Sequence, residues 1–162
     1  MIDRDIVSQW HVLIVEDEPD NLEVATRVLE FFGARTTTAR NGEEGLARLE
    51  SLTPTFILLD LSMPKMDGWE TLYRIRSNPR TAAVPVIALT AHAMKGDPER
   101  ARAAGFDGYM PKPFSPLTFL DDLVAILAAL PAERRPKLAK EPTNGKLTLQ
   151  PEMLLVAKDG RK

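Results

Sequence analysis

The chain has 162 residues, 44% of them hydrophobic and 27% charged, with a formal net charge of −2 and no cysteine. That length holds one domain of ordinary size and a short extension, without comfortable room for a second fold, and the missing thiols exclude disulfide and thiolate chemistry. Charge is unevenly spread: residues 1–130 carry 13 Lys/Arg against 19 Asp/Glu (net −6) and residues 131–162 carry 8 against 4 (net +4), and an acidic body argues against a nucleic-acid-binding domain.

The N-terminal lead, residues 1–9, is too acidic and too poor in apolar residues for a signal peptide. The longest uninterrupted apolar stretch, Leu123 to Leu130, falls far short of the roughly 20 residues that span a bilayer. The expected address is the cytoplasm, away from membranes.

From residue 11 onward, strand-like runs alternate with helical patterns, the signature of a parallel sheet covered by helices on both faces. His11-Val-Leu-Ile-Val15 is the first strand and ends on Glu16-Asp17. After Pro19, the residues Leu22, Ala25, Leu29 and Phe32 recur at helical spacing until Gly33, a residue suited to the left-handed position past a helix end. Arg35 to Ala39, rich in Thr, predicts a short edge strand, and Asn41-Gly42 turns the chain into a helix near Glu43 to Leu52.

Phe56-Ile-Leu-Leu59 is the most apolar strand, suited to a central position buried on both faces, and it runs into Asp60. A helix is predicted from about Trp69 to Arg76, with Asp67 and Gly68 supplying turn and helix-start chemistry. Pro85 opens the strand Val86-Ile-Ala-Leu89, which leads to Thr90. Asp97-Pro98 predicts an N-cap and first-turn proline for a helix to Ala104, closed by Gly105. Tyr109-Met110 then leads to Lys112-Pro113, and Ser115-Pro116 opens a last helix whose apolar stripe is Leu117, Leu120, Val124, Leu127 and Ala128. Five strands and five helices result.

Each of these strands but the edge one delivers a polar residue to the same place, because ligands of open parallel sheets bind outside the carboxyl ends of the strands. Glu16, Asp17, Asp60, Thr90 and Lys112 would share that crevice. At about 5 Å and an effective dielectric near 20, each pair of like charges repels by about 3 kcal/mol, so three carboxylates need balancing cations. Lys112 offsets one charge, and a divalent ion matches the other two. Oxygen ligands without His or Cys select a hard ion, Mg²⁺ with Mn²⁺ as substitute. Asp60, the central carboxylate, is the expected nucleophile for a phosphoryl group, while Thr90 and Lys112 would hold phosphoryl oxygens the metal does not reach. No dedicated general base is required, because phosphoryl transfer is mostly positioning and charge stabilisation.

The motifs Asp60-Leu-Ser-Met-Pro-Lys-Met-Asp-Gly68 and Tyr109-Met-Pro-Lys-Pro113, with Glu16-Asp17 and Thr90, closely resemble the receiver domain of two-component response regulators. The resemblance covers residues 10–130 and leaves 131–162 as a basic, Pro-interrupted tail. It implies an α/β, doubly wound, five-stranded parallel sheet of order 2-1-3-4-5 with five helices, the flavodoxin-like receiver fold. It also implies that Glu16, Asp17, Asp60 and the backbone carbonyl of Ser62 hold metal, that Asp60 accepts phosphate, and that the Lys112-Pro113 bond is cis. Glu16 stands where many relatives have Asp, and a carboxylate is retained. By the same resemblance Thr90 and Tyr109 form a switch, coupling the site to the face of the fourth helix, fifth strand and fifth helix. The implied partners are a histidine kinase or phosphotransfer protein as donor and a downstream protein target, with homodimer formation left open.

Other residues carry weaker signals. His11 and His92 lack acidic or Cys partners at ligand spacing; His92 and Ser62 are rim positions that in this family tune phosphate lifetime. Trp69 reads as a packing or partner-contact residue. A flavodoxin-like electron carrier would need a Ser/Thr/Gly-rich loop after the first strand, where this chain has Glu16-Asp17-Glu18-Pro19. A phosphatase of the haloacid dehalogenase type would need a second Asp two residues after the nucleophile, where this chain has Ser62. The expected role is therefore a signalling receiver, not an enzyme acting on other substrates, that loses its phosphate slowly by self-dephosphorylation. Residues 131–145 read as linker-like; the last 17 residues, with the alternating stretch Lys146-Leu-Thr-Leu-Gln150, could pair as a strand or be disordered, their Leu147, Leu149, Leu154, Leu155 and Val156 would dock a partner or another copy once ordered, and with no aromatic residue they do not suit nucleic-acid stacking.

Overall fold

The computed structural model describes residues 3–91, 96–136 and 138. Five parallel strands, β1 (His11–Val15), β2 (Arg35–Ala39), β3 (Phe56–Asp60), β4 (Val86–Thr90) and β5 (Gly108–Pro111), lie in the order β2-β1-β3-β4-β5. The helices are α1 (Arg4–Val7), α2 (Pro19–Phe31), α3 (Gly42–Arg48), α4 (Gly68–Ser77), α5 (Asp97–Ala104) and α6 (Phe119–Ala128), followed by a 3-10 turn at Ala132–Arg134. This is the doubly wound parallel sheet that the alternation of strands and helices predicts, in the flavodoxin-like strand order that the resemblance to receiver domains implies.

The strand sequences explain the two-sided core. Side chains alternate across a strand, so Val12, Ile14, Phe56, Leu58, Ile87 and Leu89 enter one buried cluster with residues of α2 and α6. Leu13, Val15, Ile57, Leu59, Val86 and Ala88 enter the other, with residues of α4 and α5. Every residue of β3 and β4 is buried, and each fully buried Leu or Ile contributes about 1.5–3 kcal/mol of transfer free energy. Leu58→Ala, at the centre of the sheet, would cost about 2–5 kcal/mol.

The helices differ from expectation in four places, one of which is that α3 ends at Arg48, short of Leu52. The lead contains a sixth helix: the Asp3 side chain accepts a hydrogen bond from the Asp5 N–H and caps α1, whose Ile6 and Val7 are buried. One turn of helix is too short to show a period, which is why the pattern missed it. Helix α5 starts at Asp97 itself, capped by Gly96 at φ 80°, so Asp97 is the first helical residue and not the cap. Helix α6 starts at Phe119; Ser115 sits in the turn before it, its carbonyl accepting from the Thr118 and Phe119 N–H groups.

Past α6, Arg134 ion-pairs with Asp107 (2.8 Å), Arg135 donates to the Leu130 carbonyl two residues beyond the helix, and Leu138 packs against the cluster under α2 and α6. Asp107 also accepts from Arg76 of α4 (2.8 Å) and from the Val86 N–H (2.9 Å), so one carboxylate ties together α4, β4, β5 and the chain after α6 at the lower edge of the sheet. The apolar stretch Leu147 to Val156 lies outside the described residues.

Candidate functional site

Strands β1 and β3 are neighbours whose following helices cover opposite faces of the sheet, and the crevice opens above their carboxyl ends. Glu16 and Asp17 follow β1, and Asp60 is the last residue of β3. The polypeptide is shaped to hold Asp60 there: the Leu61 N–H donates to the Leu89 carbonyl, the Gly68 N–H donates to the Leu61 carbonyl, and Asp67 caps α4 through the Glu70 N–H. Helix α4 begins so close beneath the loop that a Cβ at Gly68 would lie 2.3 Å from the Asp60 carbonyl oxygen and 2.7 Å from the Leu61 Cα.

One oxygen from each of Glu16, Asp17 and Asp60 lies within 4.8 Å of the others. Glu16 is fully buried and Asp60 is 1% exposed. The Glu18 N–H donates to Glu16 Oε2 at 2.9 Å, and the Ser62 N–H donates to Asp60 Oδ1 at 3.1 Å. Lys112 reaches across from the end of β5, its Nζ 3.1 Å from Asp60 Oδ1 and 3.4 Å from each oxygen of Glu16. Its backbone is fixed by donation of the Lys112 N–H to the Thr90 carbonyl at 2.8 Å, and the Lys112-Pro113 bond is cis.

The electrostatics follow from this geometry. Burial pushes the Asp60 carboxyl above its ordinary range and the Glu16 charge adds to the rise; hydrogen bonding to Asp17 and the Lys112 ammonium oppose it without cancelling it. Asp17 is also raised, first by burial and then by its hydrogen bond to Asp60. Burial lowers the Lys112 ammonium, but the Asp60 and Glu16 carboxylates outweigh it and the net shift is upward. Asp60 Oδ2 is buried, and among the described residues no donor reaches it. A buried carboxylate oxygen without a donor, inside an all-oxygen set carrying more negative charge than one ammonium balances, fits a hard divalent cation.

Of the residues expected from sequence, Glu16, Asp17, Asp60 and Lys112 are thus in contact. Thr90 is buried at the end of β4 beside them, its register partner being Pro111 of β5. Tyr109 pairs in register with Ala88 and is half-buried against the α4–α5 cluster. Ser62 contributes its N–H to Asp60. His92 lies outside the described residues. His11 is at the other end of β1, bonded through Nε2 to Thr37 Oγ1 at 2.7 Å, away from the site. Trp69 packs edge-on against Phe106, and the Arg100 guanidinium lies over its ring at 4.3 Å. Arg76, Asp107 and Arg134 drew no notice in the sequence; an Asp directly before a strand, with arginines far off in the chain, has no local spacing to reveal it.

Comparison with known proteins agrees with this geometry. Residues 12–124 match the response regulator receiver domain family. The chain is 36% identical over 116 residues to the polar-differentiation response regulator DivK of Brucella anthropi, an alignment covering 72% of this chain and 94% of that one. Among solved structures, it resembles the receiver domain of sensor histidine kinase PA1611 from Pseudomonas aeruginosa, which has a magnesium ion in its active-site cleft (32% identity, TM-score 0.66, covering 74% and 98% of the two chains). It also resembles the Mn²⁺-bound form of response regulator Rcp1 (26% identity, TM-score 0.63, covering 75% and 99%). With the family match spanning the sheet and every strand end that feeds the crevice, the chain belongs to the response regulator receiver domains of two-component signalling.

Proposed function

We propose that this receiver takes a phosphoryl group onto Asp60 from a phosphohistidine of a sensor kinase or phosphotransfer protein, and that the modified site changes the affinity of a protein-binding surface. The observation that carries the reading is the setting of Asp60: a buried carboxylate at the end of the central strand, 3.1 Å from Lys112, with Glu16 and Asp17 beside it and one oxygen without a donor. In the transfer an Asp60 carboxylate oxygen forms the new P–O bond as the donor's P–N bond breaks; the electron pair of that bond returns to the ring nitrogen, and with the other ring nitrogen of the phosphohistidine already protonated the donor leaves as a neutral imidazole. Hydrolysis later returns inorganic phosphate and the Asp60 carboxylate.

Glu16, Asp17 and Asp60, with the backbone carbonyl of Ser62, would hold a Mg²⁺ or Mn²⁺ ion. A bound ion supplies positive charge against the phosphoryl oxygens. The protein's own residues do the rest. Lys112 is held by Asp60 and Glu16 where a phosphoryl oxygen would arrive, and exchanges a carboxylate for it. The Thr90 hydroxyl donates to another phosphoryl oxygen, and the movement this requires opens space for Tyr109, the aromatic residue on the adjacent strand. The position two after Asp60, where a phosphatase of the haloacid dehalogenase type needs a second Asp, is Ser62, whose N–H reaches the nucleophile. No helix of the described residues is long and apolar enough to cross a membrane, in keeping with a cytoplasmic role.

The test is incubation of the full chain with acetyl phosphate and Mg²⁺. Intact mass should rise by one phosphoryl group, with the label acid-stable and alkali-labile, dependent on the divalent ion and lost in Asp60→Asn. A label that persists in Asp60→Asn overturns the assignment.

A further inference from the structure

The helices on the two faces of the sheet are held differently. On one face a groove of about 680 Å³ lies open between α2 and α6, with Leu117 (91% exposed) in its wall. On the other, the space between α4 and α5 is closed by a stack of three side chains. The Trp69 ring of α4 stands edge-on to Phe106 with centroids 5.7 Å apart, and the Arg100 guanidinium of α5 covers the same ring at 4.3 Å.

That stack matters because α5 has little else to rest on. Its sequence, Asp97-Pro-Glu-Arg-Ala-Arg-Ala-Ala104, carries no large apolar side chain, and among the described residues Ala101 alone represents it in the buried core. Glycines in the left-handed region bound it at both ends, Gly96 at φ 80° and Gly105 at φ 111°, positions able to absorb a change of direction. The lower end is fixed: the Gly105 carbonyl accepts from Arg76 Nε and Nη2 at 3.2 and 3.0 Å, and the Phe106 N–H donates to the Ala101 carbonyl at 2.9 Å. Nearer the upper end, which follows Thr90, the helix touches α4 where Arg100 covers Trp69. Trp69 is the residue after Gly68, and so one step from the Asp60 carbonyl against which α4 is packed.

We propose that Arg100 on Trp69 is a latch that holds α5 in its unphosphorylated position, released when Asp60 is phosphorylated, a step that rests on the Thr90–Tyr109 switch of the proposed function. Tyr109 shares a small recess with Pro98, Ala101 and Arg102 of α5 and with Phe106. When the Tyr109 ring turns toward Thr90 that recess loses a wall, α5 pivots about Gly105 to close the gap, and Arg100 is drawn off the indole. A cation–π contact of this kind is worth a factor of about two to five, against a coupling of about 5- to 150-fold between linked sites. The latch therefore sets a sizeable share of how much of the protein has α5 displaced before any phosphate arrives.

Amide hydrogen exchange over residues 97–104 and the indole N–H resonance of Trp69, assigned by its loss in Trp69→Phe, read the two sides of the latch in the full chain. In the unmodified protein Arg100→Gln should speed exchange of α5 by about two- to fivefold and move the Trp69 resonance toward its position in the phosphorylated wild type. Arg100→Lys, which keeps the cation, should recover part of the protection. Trp69→Leu should act as Arg100→Gln does, and the two together should do no more than either alone. With acetyl phosphate and Mg²⁺ the wild type should show the same faster exchange of α5, and Arg100→Gln a gain smaller by that factor. Exchange of α5 that ignores Arg100→Gln overturns the proposal, as does a wild type whose intact mass has risen by one phosphoryl group while α5 and Trp69 stay as they were. A mass that does not rise fails the Asp60 assignment and takes the latch with it, so the mass tells that failure from the latch's own.

Discussion

Lys112 Nζ stands 3.1 Å from Asp60 Oδ1, while Oδ2 of the same carboxylate is buried with no donor among the described residues. One cation therefore serves a cluster of three carboxylates on one side only. Removing the Asp60 charge should stabilise the ion-free protein, because repulsion from Glu16 and the cost of burial are both relieved. Its carboxyl is raised in the fold, so the folded chain holds that proton more tightly than the unfolded chain. The contribution of this carboxyl to the stability of the ion-free protein is thus greatest below the ordinary carboxylate range and is lost as pH rises through the folded value. Asp60→Asn in EDTA should be more stable at neutral pH, on the order of 1 kcal/mol, with a shallower decline of stability from pH 4 to 7. Urea denaturation across that range measures both, and an unchanged slope would refute the account.

The ammonium has the opposite signature. In Lys112→Met the carboxylates lose the only cation among the described residues that contacts them, so the ion-free fold should weaken by about 1–3 kcal/mol while a divalent ion, no longer repelled, should bind more tightly. Calorimetric Mg²⁺ titration and chemical denaturation in EDTA should move in opposite senses. Phosphoryl acceptance should nevertheless fall, since an oxygen contact is gone. A variant that lost both stability and ion affinity would mean that Lys112 shapes the site and does not balance its charge.

Backbone packing makes a separate demand at Gly68. A methyl group there would meet the Asp60 carbonyl oxygen and the Leu61 Cα, both main-chain atoms that cannot swing aside. Gly68→Ala should force α4 away from the end of β3, cost about 2–4 kcal/mol and slow phosphoryl acceptance by displacing Asp60. Loss of stability without loss of acceptance would show that the loop absorbs the strain.

Thr90→Ala tests the switch. Asp60 should remain phosphorylatable, because nucleophile, Lys112 and the acidic pair are untouched, but phosphorylation should no longer alter the partner-binding face. Coupling of this kind is worth about 1–3 kcal/mol, so partner affinity in wild type should rise by about 5- to 150-fold on phosphorylation. Equal gains in wild type and Thr90→Ala would contradict the role of the hydroxyl.

The sheet and the crevice were legible because their signals are local. Phe56 to Leu59 is apolar throughout since both faces are covered, and Glu16, Asp60, Thr90 and Lys112 stand out because each interrupts or follows such a run. Contacts between distant residues without a period were not legible. Nothing near Asp107 marks it as the meeting point of Arg76 and Arg134, and the one-turn α1 is recognisable only when Ile6 and Val7 are seen buried. The groove between α2 and α6 escaped for another reason: Leu117 continues the apolar stripe of the last helix by spacing, yet it lies before the helix begins and points to solvent.

The chain after α6 yields the last prediction. Arg134 makes two charge-assisted bonds to Asp107, Nε to Oδ1 at 2.8 Å and Nη2 to Oδ2 at 2.9 Å, and Arg135 donates twice to the Leu130 carbonyl. Asp107 is mostly buried and keeps Arg76 as a second partner, so losing Arg134 leaves it half-satisfied and not bare. Truncation after Ala132 removes both arginines and Leu138, and should cost about 2–4 kcal/mol; truncation after Leu138 removes none of these contacts and should cost less than about 0.5 kcal/mol. Neither cut touches the crevice at the opposite end of the sheet, so Mg²⁺ affinity and Asp60 phosphorylation should survive in both. Arg134→Ala alone should account for at least half of the longer cut's effect, and a double-mutant cycle with Asp107→Asn should show coupling above about 0.5 kcal/mol. Additive losses in that cycle, or equal stability of the two truncated proteins, would show that the clasp between Arg134 and Asp107 does not hold the end of the domain.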